Sequence, residues 1–541
     1  MTRNGDAVQN TCPPGSNRGL TGRLGLVLIL IAAAGALAFR LPLLDQRPMH
    51  GDEANQAVKT GILLDTGKYA YDPVEHHGPT LYYLALPVAW FSGAHDFADT
   101  TEFTYRIVPL VFGVGVILLL IPLRRTVGAP TVFVAAALTA LSPAMVFYSR
   151  YYIQEMLLVC FVFGVIVCGW RYAERRSLRW ALAAGLFAGL AHASKETCVI
   201  AFAGVAFAAL PTWALAKWLG IQGRETAEPV ADKPRFKVTH LLVFFAAAAG
   251  VSILFYSSFF TYPRGILDSV LTYANYFRKA DSSHIHDKPW HYYLHLLAYT
   301  RRTPKPVFSE GLILGLGVLG ITAAFTGLRR DRSPRTYFLV FLAIYAVFVT
   351  AVYSFIPYKT PWNALNFLQP LIVLAGAGAV WLIHLLRFRA VQAVAVFALA
   401  TAVAQLGMQA YRAAYVYDAD VRNPYVYAHT SKAFMQIVQR VEDIAALSPE
   451  GHDMLIRVIS LEGDYWPLPW YLRSFTQVGY WTVIPEEADA SIILAPAKLK
   501  PAIDPRLKRE YQVETKSLRP GVLWITEIRS DLWEAFMETR S

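Results

Sequence analysis

Two adjacent acids, Asp52 and Glu53, lie in the string MHGDEANQAV, directly after an apolar segment. A carboxylate that meets water at a membrane surface can take a proton from a hydroxyl or amine, or help to hold a metal. The ordinary reading is a pair of acids opening a helix, with Glu53 well placed in a first turn. Further on, YDPVEHHGPTLYY supplies Glu75, His76 and His77. Neighbouring histidines seldom aim at one atom, so one metal ligand and one anion contact are expected from this pair. Glu and His with oxygen donors suit a divalent ion such as Zn²⁺, Mn²⁺ or Mg²⁺.

Four later strings add to this set. SRYYIQE places Arg150 and Glu155 where an apolar run ends, and ASKETCV places Lys195 and Glu196 in a tight turn between apolar runs. Ionisable groups at membrane depth are costly and point to function, although long cations also snorkel to the headgroups. DSSHIHDKPWHYYLH carries His284, His286, Asp287, His291 and His295, dense for a chain with 13 histidines. Its H-x-H pair is a possible metal site, and exposed His-rich loops of this kind are also common. SFIPYKTPWN sets Tyr358 and Lys359 between two prolines. A lysine there is a good point charge for a phosphate.

The elements that must position these residues are membrane spans. The chain of 541 residues is 55% hydrophobic and 16% charged, with a mean hydropathy of +0.35. Soluble domains run nearer 45–50% apolar and about 25% charged. Apolar runs at 24–39, 107–123, 132–147, 156–170, 180–193, 199–219, 241–260, 312–328, 337–355, 365–386 and 391–409 predict about eleven spans. The first reads as a retained span, because no small-residue cleavage site follows it. With the N-terminus inside, the basic strings RRTVG, RYAERRSLR, KWLGIQGRETAEPVADKPRFK, LRRDRSPR and RFR all fall on one side. That is the cytoplasmic side by the positive-inside rule, and it predicts a multi-pass protein of the inner (cytoplasmic) membrane. It also accounts for the net charge of +11, since no soluble domain carries the basic patch that nucleic acid would need. The four cysteines make no disulfide framework: Cys160, Cys168 and Cys198 fall in apolar runs and Cys12 in the polar tail.

The resulting plan has a cytoplasmic tail (1–23), a membrane domain (24–410) and an extracytoplasmic α/β domain (411–541). Outer loops cover 44–106 and 261–306. In the first loop EANQAVKTGILLDTG is helical in pattern and ends at Gly67, a C-cap residue. GPTLYYLALPVAWFSG is too short to span, holds Pro87, and reads as an interfacial helix. In the last domain MLIRVIS, ASIILAP, YQVETKSL and GVLWITEI read as strands, SKAFMQIVQRVEDIAAL and DLWEAFM as helices, and Arg519–Gly521 as a hairpin turn. EGDYWPLPWYLR offers aromatics and Arg473 to a sugar or peptide, or packs on its own sheet.

All the candidate residues come from outer segments. Together they would suit an anionic lipid-linked substrate, with its tail between helices and its phosphate against cations. The strings HGDEA, HHGPTLYYL, SRYYIQE, IPYKTPWN and DYWPLPWYLR, with this plan of spans, resemble the GT-C superfamily of integral membrane glycosyltransferases. The likeness is to its protein O-mannosyltransferase and aminoarabinose-transferase branch, nearest a prokaryotic subfamily of flippase activity-associated proteins.

The resemblance implies transfer of a sugar from a polyprenyl-phosphate donor to a lipid, glycan or protein acceptor, by inverting attack. It implies Asp52 as the base, with Glu53 beside it, and Glu75 as a metal ligand. His284, His286 or His291 would complete that metal. Arg150, Lys195 and Lys359 would meet the phosphate, and His76 stands where the family has a phosphate-binding lysine. Glu155, His77 and Tyr358 would line the same pocket. A flippase or transporter of lipid-linked sugar, or its accessory protein, is the alternative. It would call for polar residues at mid-bilayer and an internal repeat, and the sequence has few of the former and none of the latter.

Overall fold

The computed structural model describes residues 16–75, 77–221, 237–280, 287–301 and 306–540. The membrane domain is built from helices α1 (Ser16–Arg40), α2 (Gly51–Thr66), α3 (Thr80–Phe91), α4 (Glu102–Leu118), α5 (Arg124–Val127), α6 (Ala129–Leu141), α7 (Pro143–Tyr148), α8 (Glu155–Arg175) and α9 (Leu178–His192). It continues with α10 (Cys198–Leu219), α11 (Val238–Tyr256), α12 (Arg264–Ala280), α13 (Tyr292–Ala298), α14 (Gly311–Arg330), α15 (Pro334–Phe355), α16 (Leu365–Leu385) and α17 (Arg389–Tyr411). Among the described residues nine helices are long and apolar enough to cross a membrane. The expected span 132–147 is instead a helix of 13 residues, α6, and one of 6, α7, because Ser142 leaves the helical conformation and caps α7 ahead of Pro143. The expected span 180–193 is the 15-residue α9.

The spans pack through small residues. A side chain built on Gly320 of α14 would strike the carbonyl of Leu374, and one on Gly378 of α16 the carbonyl of Leu316, so the two backbones touch as small-residue interfaces allow. In the first outer loop α2 and α3 form as their patterns require. The amide of Asp52 donates to His50 Nδ1 (2.9 Å) and the amide of His50 to Glu53 Oε2 (3.2 Å), a box that satisfies the helix start. The helix ends at Gly67 with φ +65°. α3 has 12 residues and contains Pro87, too short for the hydrocarbon core. The second outer loop carries a small antiparallel pair, β1 (Thr300–Arg301) and β2 (Val307–Phe308).

The C-terminal domain has a five-stranded sheet in the order β4-β3-β5-β7-β6. Its strands are β3 (Ile456–Ile459), β4 (Val478–Trp481), β5 (Ile492–Pro496), β6 (Tyr511–Arg519) and β7 (Val522–Arg529). β3 runs parallel to β4 and β5, whereas β7 runs antiparallel to β5 and β6. Helices α18 (Met435–Leu447), α19 (Leu468–Tyr471), α20 (Lys500–Ile503) and α21 (Ser530–Glu538) complete it. α18 and α21 share one core with Ile456, Val458, Leu494 and Trp524. Ala413, Tyr425, Trp470 and Tyr471 pack into the membrane-domain core instead, so both the segment after α17 and α19 of the C-terminal domain hold to the membrane domain.

Candidate active site

On a helix, neighbouring side chains point about 100° apart, and that separates the two acids of α2. Glu53 turns inward and is fully buried. Arg106 donates to both of its oxygens (Nε to Oε1 2.8 Å, Nη2 to Oε2 2.8 Å), Arg47 Nη2 to Oε1 (3.1 Å) and the amide of Tyr152 to Oε1 (3.0 Å). Burial alone would raise its pKa, but the charges of Arg106 and Arg47 outweigh it and hold the group far below the usual carboxylate range. The expected catalytic part for Glu53 is therefore corrected. The residue is an anchor, tying α2 to α4 and to the loop before it.

Asp52 turns outward, with its side chain 52% exposed. His50 sits behind it. The imidazole Nε2 donates to the carbonyl of Tyr427 (2.9 Å) while Nδ1 accepts from the Asp52 amide, and Nδ1 lies 3.8 Å from Asp52 Oδ2. Burial lowers the His50 pKa, so the ring stays neutral and leaves the carboxylate without an ion-pair partner there. His50 stands in a wall of rings, with centroids 5.4 Å from Tyr151, 4.9 Å from His429 and 6.3 Å from Trp362. Tyr151 stacks on His429 at 5.4 Å. The sequence shows HGDEA, but nothing local in it marks His50, His429 or Trp362 as neighbours.

Tyr358, between α15 and α16, shows which outer segments converge. Its phenol pKa is pushed up to about 12, first by burial and then by the charges of Asp52 and Glu155, with Tyr427 adding to it. The charges of both carboxylates thus reach one phenol although they come from α2 and α8. Glu155 is buried and forms an ion pair with Lys195. Glu196 accepts from Tyr71 (3.3 Å) and pairs with His77 (3.0 Å).

The last two contacts belong to a seam between the HHGPT and ASKET strings. The Thr80 amide donates to Ala193 O (3.1 Å), and the hydroxyls of Thr80 and Ser194 lie 2.6 Å apart. Gly78 lets the two backbones meet, since a Cβ there would collide with the Ala193 carbonyl. Lys195 thus pairs with Glu155, and His77 lies against Glu196, the residue next to Lys195 in the chain.

Arg150 departs from expectation. Its guanidinium donates to the carbonyls of Arg40, Pro42 (2.7 Å) and Leu43 (2.8 Å) and to the Tyr415 hydroxyl (2.9 Å). It caps the end of α1, satisfying carbonyls a helix leaves unpaired, and its donors are spent on the fold rather than on a phosphate. Arg40 does the same for α6, donating to Ala140 O (2.8 Å) and Thr139 O (2.9 Å). Lys359 is buried and donates to Lys288 O (3.0 Å) and to the Ile356 carbonyl. This joins the SFIPYKTP turn to the second outer loop, where Lys288 N also donates to Pro357 O (3.1 Å). An ammonium has three donors, so one remains. Burial lowers the Lys359 pKa and Asp287 partly restores it.

Of the expected metal set, Glu75 and His291 lie among the described residues. Glu75 and His291 are exposed. The Glu75 carbonyl accepts from Lys59 Nζ (2.9 Å), and His291 lies against Trp290 at 5.5 Å. His76, His284 and His286 lie outside the described residues. Among the described residues no three His, Cys, Asp or Glu side chains come together as metal ligands.

The family model for dolichyl-phosphate-mannose-protein mannosyltransferases matches residues 86–222. No curated protein matches the chain. Solved structures do. ArnT from Cupriavidus metallidurans, bound to undecaprenyl phosphate, aligns over 95% of this chain and 98% of its own, with TM-score 0.58 and 14% identity. The archaeal oligosaccharyltransferase AglB from Archaeoglobus fulgidus, in complex with an inhibitory peptide and a dolichol-phosphate, aligns over 88% of this chain and 70% of its own, with TM-score 0.55 and 13% identity. The A. fulgidus oligosaccharyltransferase in complex with Zn and sulfate aligns over 95% and 76%, with TM-score 0.52 and 14% identity. At such identities the likeness is one of architecture: this chain is a polytopic helical membrane protein that shares its fold with ArnT and AglB.

Proposed function

We propose that this protein is a membrane glycosyltransferase. In this reading it moves a sugar from a polyprenyl-phosphate-linked donor to a nucleophile on the extracytoplasmic side of the inner membrane, with Asp52 as the base. The observation that carries the reading is the position of Asp52. It is an exposed carboxylate at the head of α2, backed by a neutral imidazole that packs among aromatic rings, and its charge, like that of Glu155, reaches the Tyr358 phenol. The shared fold supports it. ArnT binds undecaprenyl phosphate and AglB a dolichol-phosphate, so a lipid phosphate is the substrate feature common to both.

In the proposed reaction Asp52 takes the proton from an acceptor hydroxyl or amine. The freed lone pair attacks the anomeric carbon from the face opposite the phosphate, and the configuration inverts. The bond between that carbon and the phosphate oxygen breaks, and its electron pair leaves on the lipid phosphate. The remaining donor of Lys359 and the nearby Lys195 ammonium would stabilise that charge, where fixed cations act most strongly. Tyr358 would donate to a sugar or phosphate oxygen. The aromatic wall supplies apolar faces to the C–H side of a sugar ring. The orientation rests on the basic strings that gather between spans on the other side.

Purified protein in nanodiscs, incubated with radiolabelled polyprenyl-phosphate sugars and candidate acceptors, tests the proposal. Loss of sugar from the donor only when an acceptor is supplied is expected, and Asp52→Asn should abolish it. Transfer at the wild-type rate by a folded Asp52→Asn protein would refute the assignment. Movement of intact donor across vesicles, without transfer, would favour a transporter instead.

A further inference from the structure

The C-terminal domain contains a cavity of about 440 Å³, within the range of small-molecule sites. It opens where the parallel strands β3 and β5 end. Ser460, Glu462 and Asp464 line it after β3, Lys498 after β5, and Trp524 at the start of β7. Ligands of open α/β sheets bind at the carboxyl ends of the strands, and this cavity occupies that position.

Its chemistry is balanced in charge and rich in hydrogen-bonding groups. Glu462 pairs with Lys498 (2.6 Å) and Asp464 with Arg519, so neither sign is in excess. A phosphate would meet two carboxylates, and a bare cation would meet the Lys498 ammonium. Each carboxylate keeps lone pairs for further donors. Ser460 Oγ accepts from the Asp464 amide (3.1 Å), which leaves its hydroxyl proton to donate. Trp524 is fully buried beneath the cavity and gives it a rigid floor. Leu461 and Val522 add apolar wall.

Carboxylates for hydroxyl donors, the Lys498 ammonium and a hydroxyl for ring or glycosidic oxygens, and apolar patches for C–H faces together describe a neutral carbohydrate. We infer that this cavity is a binding site for neutral oligosaccharide, separate from the space around Asp52. The same segment that lines it then runs to Trp466, whose Cβ lies 3.3 Å from where a Cβ on Gly51 would stand. The Tyr471 hydroxyl accepts from the Met49 amide (2.7 Å). A saccharide held in the cavity therefore sits on a segment that abuts the start of α2.

The test is a binding measurement on the full chain in nanodiscs and does not depend on transfer activity. Gluco-, manno-, galacto- and N-acetylglucosamine oligosaccharides are titrated by calorimetry and saturation-transfer NMR, with inorganic phosphate as the anionic arm. Saturable binding of at least one neutral oligosaccharide is expected. The double variant Glu462→Gln/Asp464→Asn should weaken it about tenfold or more. Both side chains are open to solvent (72% and 47% exposed), so that variant should fold. Ser460→Ala should also weaken binding. Absence of binding across the panel, undiminished binding by the double variant, or binding of phosphate in place of sugar would overturn the inference. Failure of the Asp52 proposal would show as wild-type transfer by Asp52→Asn, or as no transfer by the wild type, with this binding intact.

Discussion

Replacing Glu53 by Gln separates an anchor from a catalyst. The carboxylate faces two buried guanidiniums and two backbone amides. Glutamine keeps one acceptor oxygen but puts an NH₂ against Arg106 or Arg47. Arg106 would still hold Leu44 O (2.6 Å) and Arg47 O (2.8 Å), so the stranded charge falls mainly on Arg47, whose Nε already has no partner. Removing one side of a buried ion pair costs about 3–5 kcal/mol, or on the order of 10²–10⁴-fold in the folded-to-unfolded ratio. The effect carries a pH signature. The folded pKa of Glu53 lies far below the ordinary 4.5, so its stabilisation is full above that value and is lost as pH falls below it. Detergent-solubilised wild type, Glu53→Gln and Asp52→Asn would be compared by thermal unfolding from neutral to acid pH, and by sugar transfer. The expected result is a large loss of thermal stability in Glu53→Gln that narrows toward acid pH. Asp52→Asn should match wild-type stability and lose transfer about 10²–10⁴-fold. A Glu53→Gln protein with wild-type stability and no transfer would refute the reasoning and return Glu53 to the chemistry.

Three further outcomes are expected. Because burial lowers the Lys359 pKa below the ordinary 10.5, its charge is present at lower pH and lost as pH rises through the lowered value. Donor affinity should fall on the alkaline side earlier than for an ordinary lysine, and Lys359→Arg should flatten that limb in a plot of donor KM against pH. Gly78→Ala should destabilise the seam between the first outer loop and the Ala193–Ser194 turn by about 1–3 kcal/mol, the cost of overpacking, read as faster proteolysis of that loop. Arg150→Ala should strand the carbonyls at the end of α1, at about 1–3 kcal/mol for each buried group left unpaired. Thermal stability should fall while donor KM in the folded fraction is unchanged, and the opposite pattern would restore Arg150 to phosphate binding.

The protein's sequence by itself determines its elements, because their signals are local. Apolar runs between basic strings mark the long spans, Gly67 ends α2 where its pattern stops, and Pro520–Gly521 turns β6 into β7. Length alone already shows that 80–91 cannot cross a bilayer. Only the tertiary structure decides which polar residues meet. The string DE holds one outward acid and one anchor, and the difference lies in Arg106, distant in the chain but adjacent once α4 packs on α2. Arg150 reads as a phosphate ligand until the carbonyls at the end of α1 arrive beside it. Lys195 and Lys359 look alike in sequence, yet one meets Glu155 and the other two carbonyls. β4 carries no strong strand pattern, and its pairing with β3 organises it. Helical and strand periodicity follow from each residue's near neighbours, whereas the partner of a buried charge depends on which distant segment is brought against it.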